Sequence, residues 1–559
     1  MKCFFTLITI ILLITQNYAQ EKNVIRGYPL DNPLVVNGTF SELRNNHFHS
    51  GVDFSTNKKI GLPVYAVEDG VVNRIKVSAF GFGKVVYLRH ESGFTTVYAH
   101  LDGFENKLND YVLNNQYKNE RFDLELFPLG NEFFYKKGDI IGYTGNSGSS
   151  GGPHLHFEIK ETESELLHNP FVLNMFSDIV DTQKPVVNDL WVYPKNNETT
   201  IQGITNEIPI NFKRSANGDY FADKVLTNGA IGFGINSYDV IDNSYGKNGI
   251  YEIVVRVNAK VICHYKFDSF SYNDSRFVNY LIDYKRFSET NQKIQRLFQP
   301  NGFNVPYLVK SDNDGYLKVE ENNDYQVVIE ISDYHKNTQK IHVPVSYKSY
   351  PVIEKKVDSD KKYIDFYRDY IFEENDKYVS WKAKTFYEDH YLNIQLLEDS
   401  IVLHEDVFPV HDNIDLRFNV QNTNINKEKT FIGRVNGNKI QYFDTWKREN
   451  DFRIRTKVLG TYKLYEDLVP PIVKPIESKS NYKVTDLISL EISDELSGID
   501  SFRGEINGKW ALFEYDFKTK RITHQLKEKI AQKGKNKLIL DVKDKMGNNT
   551  TFEYSFMLE

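Results

Sequence analysis

Two histidines, His154 and His156, lie two residues apart behind a glycine-rich turn. The run after the turn predicts a β-strand, on which residues two apart point to the same face with backbones about 6 to 7 Å apart. Two imidazoles at that spacing can serve one metal centre, one as a ligand and the other reaching a metal-bound water. Such a pair also arises by chance in a chain with 14 histidines, so the pair alone does not establish a site.

A second candidate group lies earlier in the chain, where His49 precedes Asp53 by four residues. On a flat strand these side chains would be about 13 Å apart, too far to share an ion whose bonds are about 2 Å long. Ser50 and Gly51 lie between them and allow the chain to bend. His49, Asp53 and one histidine of the later pair would give three protein ligands, the number that a catalytic zinc keeps while a fourth position stays open for water.

The elements around these groups predict a compact antiparallel β domain from about residue 24 to 175. Short runs rich in Val, Ile and Tyr alternate with glycine-containing turns, and no helix-length pattern interrupts them before His100. The runs are VYAV at 64–67, DGVV at 69–72, KVVYL at 84–88, TTVYAHL at 95–101 and DIIGY at 139–143. A histidine that ends such a strand, as His100 does, is more often structural when nothing else surrounds it.

Six motifs in this region occur in an order typical of one family. They are HSGVD at 49–53, PVYA at 63–66, DGVV at 69–72, YAHL at 98–101, KGDIIG at 137–142 and GPHLHFE at 152–158. Residues 30 to 175 or so therefore resemble the M23 (lysostaphin/LytM-type) zinc metallopeptidases, cell-wall peptidases with a β-sheet catalytic domain. The resemblance implies one Zn²⁺ per chain, held by His49, Asp53 and His156, with His154 and His100 as the catalytic histidines.

The chemistry of these residue types agrees with that assignment. Zinc lowers the pKa of a bound water to about 7 and polarises a peptide carbonyl. An adjacent imidazole with a pKa near 6.5 can accept the water proton and return it to the leaving amine. We assign this transfer to His154, while His100 stabilises the oxyanion or shares the proton transfers. The sequence leaves open which histidine does which.

Three further residues near the motifs could join or surround the site. Glu158 shares a strand face with His154 and His156, so we expect it either to orient a histidine from behind the metal ligands or to form an ordinary salt bridge. His47 and His90 are predicted to be surface or loop histidines.

An insertion at about residues 104–135 is longer than the resemblance predicts. Phe104, Leu108, Tyr111 and Val112 fall at helical spacing, which predicts a short amphipathic helix. Two interpretations remain open: the insertion walls or covers a substrate groove, or it is a peripheral packing element.

Residues 1–19 predict a secretory signal peptide. Lys2 precedes an apolar core from Phe4 to Ile14, and cleavage is expected after Ala19. The apolar run is shorter than the ~20 residues that a membrane span needs. We therefore expect an exported protein, in the periplasm, at the cell surface or secreted, with no membrane span after cleavage.

The fold class is predicted to be mainly β, with the compact antiparallel peptidase domain at 20–178 followed by several β-sandwich domains. The run DTQKPVV at 181–187 is echoed by DLVPPIV at 467–473, and VVIEISD at 327–333 by LILDVKD at 538–544. These echoes predict related sandwiches at 179–347 and 467–559, which resemble bacterial immunoglobulin-like (Ig-like) domains. Residues 348–466 predict a third β-rich domain without a resemblance.

The amino-acid composition limits the kinds of binding partner that we expect for this protein. The formal net charge is −7, both signs are interspersed and no basic block occurs, so no nucleic-acid partner is expected. The 36 Tyr and 38 Phe either supply a face that stacks on carbohydrate or fill sandwich cores. A carbohydrate or protein partner for the sandwiches therefore stays open beside the peptidoglycan peptide that the resemblance implies.

The resemblance implies an exported zinc metalloendopeptidase that hydrolyses peptide bonds in peptidoglycan cross-links or stem peptides. One alternative is a non-catalytic scaffold that activates other wall hydrolases. Others are a peptidase acting on another extracellular protein and an adhesion protein whose sandwiches carry the function. All five expected polar positions are present, which argues against loss of the metal site.

Overall fold

The computed structural model describes residues 27–299, 303, 305, 307–351, 360–421, 423–477 and 479–559. Strands predominate throughout these residues, which confirms the mainly β fold class. The predicted signal peptide lies outside the described residues. Within them, no helix has the length and apolar character needed to cross a membrane.

The N-terminal region is built on one large antiparallel sheet. Its strands are β1 (Val36–Gly38), β2 (Val52–Ser55), β3 (Pro63–Tyr65), β4 (Gly70–Val77), β5 (Lys84–His90), β6 (Phe94–Phe104), β7 (Leu124–Leu126), β8 (Phe134–Tyr135), β9 (Ile140–Thr144), β10 (His154–Glu161) and β11 (Leu167–His168). The central order is β1-β2-β10-β6-β5-β4-β7. Alternate apolar residues of these strands, including Phe54, Leu88, Tyr98 and Phe157, pack into one buried core.

The register between β2 and β10 brings the two candidate groups together. His156 lies opposite Asp53, and His154 lies opposite Ser55. The chain just before β2 passes close to β10, because a Cβ at Gly51 would meet the Phe157 carbonyl oxygen at 2.2 Å. Only glycine allows this approach, so the bend expected between His49 and Asp53 depends on Gly51.

The predicted amphipathic helix is present as α1 (Asn106–Asn119). The Glu105 carboxylate caps its first turn by accepting a hydrogen bond from the backbone N–H of Lys107 at 3.2 Å. Leu108 and Val112 are buried in the core of the N-terminal sheet. The insertion is therefore anchored to the peptidase-like region by the face that the sequence pattern indicated.

The second region is a pair of sheets around a common core. Its strands are β12 (Val186–Pro194), β13 (Ile208–Pro209), β14 (Phe212–Arg214), β15 (Tyr220–Ala222), β16 (Val225–Thr227), β17 (Ala230–Tyr238), β18 (Glu252–Val257), β19 (Lys260–Lys266), β20 (Ser269–Phe270), β21 (Gln295–Arg296), β22 (Leu308–Ser311), β23 (Leu317–Lys318), β24 (Asp324–Ser332) and β25 (Thr338–Tyr347). Between β20 and β21 lie a 3₁₀ helix (Tyr272–Phe277), α2 (Val278–Leu281) and α3 (Tyr284–Thr290), and a second 3₁₀ helix (Asn313–Gly315) follows β22. Strand β20 pairs with β11 and so belongs to the N-terminal sheet.

The first two regions share buried apolar surface as well as that strand pairing. Phe40 and Phe48 of the N-terminal region lie in the core of the second region, where their rings contact Phe270 at centroid distances of 4.7 and 5.6 Å. Burial of aromatic rings on both sides of a junction favours one fixed arrangement. The second region is thus positioned to support residues around the candidate site.

The remaining chain forms two further β regions, each with its own core. The third region contains β26 (Lys362–Ile364), β27 (Tyr370–Glu374), β28 (Lys377–Trp381), β29 (His390–Leu392), β30 (Ile394–Leu396), β31 (Ser400–Leu403), β32 (Ile414–Asn419), β33 (Thr430–Asn436), β34 (Lys439–Tyr442), β35 (Trp446–Arg448), β36 (Asp451–Thr456) and β37 (Gly460–Glu466). The C-terminal region contains β38 (Ile472–Pro475), β39 (Asn481–Tyr482), β40 (Leu487–Ser493), β41 (Ile499–Ile506), β42 (Lys509–Ala511), β43 (Glu514–Asp516), β44 (Arg521–Gln525), a 3₁₀ helix (Leu526–Glu528), β45 (Gly534–Asp544) and β46 (Asn549–Leu558).

Candidate metal centre

Three side chains converge at the edge where β2 and β10 meet. Nε2 of His49 lies 3.0 Å from Oδ1 of Asp53 and 3.0 Å from Nδ1 of His156. Nδ1 of His156 lies 2.8 Å from the same carboxylate oxygen. Ligands on a tetrahedral ion with bonds of about 2.1 Å are roughly 3.4 Å apart, so the three atoms need only a small outward movement to become a zinc ligand set.

In His49 and His156, the ring nitrogen that points away from Asp53 forms a hydrogen bond with the surrounding protein. Nδ1 of His49 donates to the Thr39 carbonyl oxygen at 2.8 Å, and Nε2 of His156 donates to Oε1 of Glu158 at 3.1 Å. These hydrogen bonds place the remaining lone pairs on the inner nitrogens, facing Asp53. Three lone-pair donors that face one another fit a cation, and the pattern of two imidazoles and one carboxylate is a typical zinc ligand set.

A further pair of side chains orients Asp53. Nη2 of Arg44 donates to Oδ2 of Asp53 at 2.6 Å and to Glu42 at 3.1 Å. Burial raises the pKa of Asp53, but contacts with His49, His154 and His156 outweigh burial and hold that pKa well below its usual value. The carboxylate therefore stays ionised and presents Oδ1 to the histidines.

Two carboxylates contact opposite nitrogens of the His156 ring. Burial lowers the pKa of His156, but hydrogen bonds to Asp53 and Glu158 outweigh burial and raise it to about 9. A positive charge is thus favoured at the inner nitrogen. A bound metal ion replaces that proton and supplies the same charge.

Glu158 is itself fully buried and is contacted by the second region. The hydroxyl of Tyr272 donates to its Oε2. Burial raises the pKa of Glu158, and the hydrogen bond and charge of His156 outweigh burial and lower it. A residue from outside the predicted peptidase domain therefore fixes the carboxylate that positions His156.

His154 lies beside the three ligand atoms without joining them. Its Nδ1 donates to the Gly152 carbonyl oxygen at 2.8 Å, and its Nε2 lies 3.4 Å from Oδ1 of Asp53. The side chain is 16% exposed, more than the side chains of His49, Asp53 or His156. Nε2 of His154 therefore lies beside the Asp53 carboxylate, on a side chain that solvent can reach.

His100 completes the cluster from β6. Its Nδ1 donates to the Ser147 carbonyl oxygen at 2.9 Å, and its ring centroid lies 4.9 Å from that of His154. Burial, assisted by His156 and His154, lowers the pKa of His100 to about 3, so the ring is neutral. Its backbone φ is +60°, a left-handed conformation that costs energy for a histidine.

An open groove adjoins the cluster on the Phe82 side, where the Phe82 ring stacks on His156 at 5.2 Å. The groove encloses about 490 Å³. Its lining is basic and aromatic, including Arg74, Lys76, Phe82, Tyr87, Lys160 and Tyr272. Two of these basic side chains are in ion pairs, Arg74 with Glu125 and Lys160 with Glu165, and Glu165 also lines the groove.

The C-terminal region contacts the turn that leads to His154. Nζ of Lys518 donates to the carbonyl oxygens of Asn146 at 2.5 Å and Ser150 at 3.2 Å. Nearby, Lys84 forms an ion pair with Glu514 at 2.9 Å. Helix α1 also contacts the C-terminal region, because the hydroxyl of Tyr117 donates a hydrogen bond to Glu528. Whether the insertion also borders a bound substrate stays a prediction.

The structure corrects the prediction for one of the two histidines, His47 and His90, that were expected at the surface or in a loop. His47 is exposed, as predicted, whereas the prediction of a surface or loop position for His90 is wrong. His90 ends β5 and is buried, with Nδ1 donating to the Asp69 carbonyl oxygen at 2.9 Å and Nε2 2.7 Å from the Thr96 hydroxyl. Both ring nitrogens are satisfied internally, which makes His90 a structural residue.

Comparison with known proteins identifies two domains. Residues 47–117 match the sequence model of Peptidase family M23, so the chain contains an M23 peptidase domain. Residues 361–467 match the model of the Zu5-like domain. The second match falls on the β-rich segment for which the sequence offered no resemblance.

Three curated relatives are similar to the N-terminal part of the chain. An uncharacterized metalloprotease of Haemophilus influenzae is 34% identical over 137 residues, which are 23% of this chain and 24% of the relative. The DD-carboxypeptidase/endopeptidase Mpg of Neisseria meningitidis is 33% identical over 112 residues, 20% of each chain. The glycyl-glycine endopeptidase ALE-1 of Staphylococcus capitis is 32% identical over 127 residues, 22% of this chain and 26% of the relative. The matches thus span about a quarter or less of each relative's length.

Proposed function

We propose that this chain, which contains an M23 peptidase domain, is an exported zinc metalloendopeptidase that hydrolyses peptide bonds in peptidoglycan. The observation that carries the proposal is the convergence of His49, Asp53 and His156, whose ligand atoms lie within 3.0 Å of one another. Each of these side chains is fixed from behind, by Thr39, Arg44 and Glu158 respectively. Such support is what keeps a metal ligand set ready for its ion.

Zinc, when bound there, would polarise a peptide carbonyl and make a water molecule acidic enough to lose a proton near neutral pH. We assign His154 to accept that proton at Nε2 and to return it to the leaving amine. The Gly152 carbonyl holds the proton on Nδ1, so Nε2 of the neutral ring carries the lone pair. The exposure of His154 lets it reach both water and substrate.

His100 has a narrower role in this proposal than the sequence allowed. Its Nδ1 proton is committed to the Ser147 carbonyl, and its lowered pKa keeps Nε2 unprotonated. An unprotonated nitrogen accepts hydrogen bonds and cannot donate one to an oxyanion. We therefore favour a part for His100 in orienting water or sharing its proton over oxyanion stabilisation.

The substrate assignment rests on the family resemblance and on the basic, aromatic groove beside Phe82. The names of the relatives point to different bonds, since one is a DD-carboxypeptidase and endopeptidase and another a glycyl-glycine endopeptidase. Both names describe hydrolysis of peptide bonds. The proposal accordingly commits to a peptide bond of the wall and leaves the bond to experiment.

The rest of the chain enters the proposal as support for this site. We propose that residues 1–19 direct export, that 20–178 form the peptidase domain, and that Ig-like sandwiches at 179–347 and 467–559 flank a β-rich domain at 348–466. Tyr272 and Lys518, from the two sandwiches, contact the catalytic region directly. The sandwiches thus hold the peptidase domain in place.

The experiment that tests the proposal is digestion of purified peptidoglycan by the full chain, followed by mass spectrometry of the released fragments. We expect new peptide amino termini, and their sequence names the bond. The release should stop when a chelator removes the metal and resume when zinc is returned. A folded chain that binds one zinc and releases no peptide would overturn the proposal and favour the scaffold interpretation.

A further inference from the structure

A second cluster of charged side chains lies where the N-terminal and second regions meet. Asp181 precedes β12, Asp239 follows β17 and Asp333 follows β24. Their exposed fractions are 6%, 3% and 2%. Three carboxylates from separate segments are therefore buried together, and carboxylates are almost never buried without a partner.

Two oxygen atoms of this cluster have no hydrogen-bond partner among the described residues, namely Oδ2 of Asp181 and Oδ1 of Asp239. Both aspartates line a cavity of about 30 Å³, together with Asp333 and His335. One oxygen of Asp181, one of Asp333 and one ring nitrogen of His335 lie within 4.8 Å of one another. A cavity of this size can hold one water molecule or one small ion. Because the two carboxylate oxygens lack a hydrogen-bond donor, a cation fits the cavity better than an anion does.

One residue, Asn337, links two members of the cluster. Asn337 donates its backbone N–H to Oδ1 of Asp333 at 2.9 Å and its side-chain Nδ2–H to Oδ2 at 2.7 Å. The same Nδ2 donates to the Asp181 carbonyl oxygen at 3.0 Å. The Asp333 carboxylate is thereby fixed beside the backbone of Asp181.

The negative charge of the cluster lacks a fixed compensating charge in the part of the chain that the structure describes, where no lysine or arginine pairs with these aspartates. Burial, reinforced by Asp333 and Asp181, raises the pKa of Asp239 to about 8. Burial also raises the pKa of Asp333, to about 6, despite the hydrogen bonds from Asn337. Burial of the unpaired oxygens of Asp181 and Asp239 likewise favours the uptake of a cation.

We propose that Asp181, Asp239 and Asp333 bind one divalent cation of the calcium type. Carboxylate oxygens are the ligands that Ca²⁺ prefers, and it accepts the irregular geometry that three separate segments provide. His335 lies at the edge of the site, where its Nε2 donates to the Ile179 carbonyl oxygen at 2.8 Å. The bound ion ties the segment before β12 to the ends of β17 and β24.

This site is separate from the peptidase cluster but is connected to it through Thr39. Thr39 lines the same cavity, and its carbonyl oxygen accepts the hydrogen bond from His49. Its hydroxyl also accepts a hydrogen bond from the backbone N–H of Gly249 at 2.9 Å. A cation that fixes the junction therefore also fixes the backbone that positions one ligand of the proposed zinc.

The C-terminal region contains a matched cluster at the corresponding positions, Asp467, Asp494 and Asp544. Here the loop after β40 supplies donors, since Ser497 N–H reaches Asp467 at 3.1 Å and Gly498 N–H reaches Asp494 at 2.7 Å. Among the described residues, these three carboxylates have no buried oxygen without a partner. Backbone donors take the place of the cation, so this cluster serves as an internal control.

The test is calorimetry of the zinc-loaded full chain, titrated with CaCl₂ and then heated with and without calcium. We expect one calcium to bind and the unfolding temperature to rise by about 3 to 8 °C when calcium is 100 times its Kd. Asp239→Asn should lose both responses. Without calcium, Asp239→Asn should unfold at the wild-type temperature or above, because the neutral amide has no charged form that burial penalises. Asp494→Asn, in the control cluster, should keep the calcium response.

Any of three results would overturn the proposal, one for the wild-type chain and one for each variant. One is a wild-type chain that binds no calcium and whose unfolding temperature does not change when calcium is added. The others are an Asp239→Asn chain with the full wild-type response and an Asp494→Asn chain that loses the response. The experiment measures calcium binding and the unfolding temperature, so its result does not depend on peptidase activity.

Discussion

Replacing His156 with alanine is expected to abolish both zinc binding and peptide cleavage. The substitution removes one of three ligands and leaves the buried carboxylates of Asp53 and Glu158 without the ring that separates them. Loss of a metal that contributes several kcal/mol to the transition state corresponds to at least about a 10³-fold fall in kcat/KM. Zinc content per chain and the rate of peptide release measure the two effects.

The matched control is His47→Ala, two residues before His49 and exposed to solvent. Within the part of the chain that the structure describes, the one hydrogen bond of its ring is with the Asn45 carbonyl oxygen, so zinc content and rate should stay at their wild-type values. Circular dichroism shows whether each variant is folded. A folded His156→Ala chain that binds one zinc with wild-type affinity would contradict the ligand assignment.

Replacing His154 with alanine is expected to separate metal binding from catalysis. The variant should hold one zinc per chain, because His154 is outside the group formed by His49, Asp53 and His156. It should lose about 10²- to 10⁴-fold in kcat, the usual contribution of a positioned acid or base. Zinc content and single-substrate kinetics on the released peptide provide the measurement.

A comparison with His100 sharpens the assignment. Because His100 has a φ of +60°, asparagine is the suitable replacement, since it tolerates the left-handed conformation better than alanine does. We expect His100→Asn to retain zinc and to lose less activity than His154→Ala. If His154→Ala kept near wild-type kcat while His100→Asn lost activity, the two roles would be reversed.

The candidate ligand residues could be predicted from sequence because local rules bring them near one another and the resemblance to the M23 family selects His156. His154 and His156 share a face through strand alternation, and Gly51 allows the bend that brings His49 toward Asp53. The antiparallel pairing of β2 with β10 then sets His156 opposite Asp53. The shared face and the bend follow from spacing and glycine chemistry, whereas the pairing of β2 with β10 is seen only in the structure.

The residues that support the ligands could not be identified in this way. Arg44 reaches Asp53 through a loop whose path depends on the whole sheet, and Tyr272 reaches Glu158 from another region of the chain. His90 carried a turn-like sequence context, yet pairing of β5 with β6 buries its ring against Thr96. Contacts between distant segments have no periodic signal in the sequence, so only the fold reveals them.

The division of the chain into regions could also be predicted only in part from the sequence. Repeated motifs around Asp181 and Asp467 indicated two related segments, and the structure brings each of these aspartates into an acidic cluster. The pairing of β20 with β11 carries the N-terminal sheet into the second region, which no composition change indicates. Strand exchange of this kind follows from packing of aromatic residues such as Phe270 rather than from local propensity.

The measurement that tests the central claim most directly is a zinc titration of the metal-free full chain with peptide release from peptidoglycan as the readout. We predict no release before zinc is added, a rise in proportion to zinc, and a plateau at one zinc per chain. Cleavage by the metal-free chain at the rate of the zinc-loaded chain would contradict the claim. So would a chain that binds one zinc at His49, Asp53 and His156 and still releases no peptide.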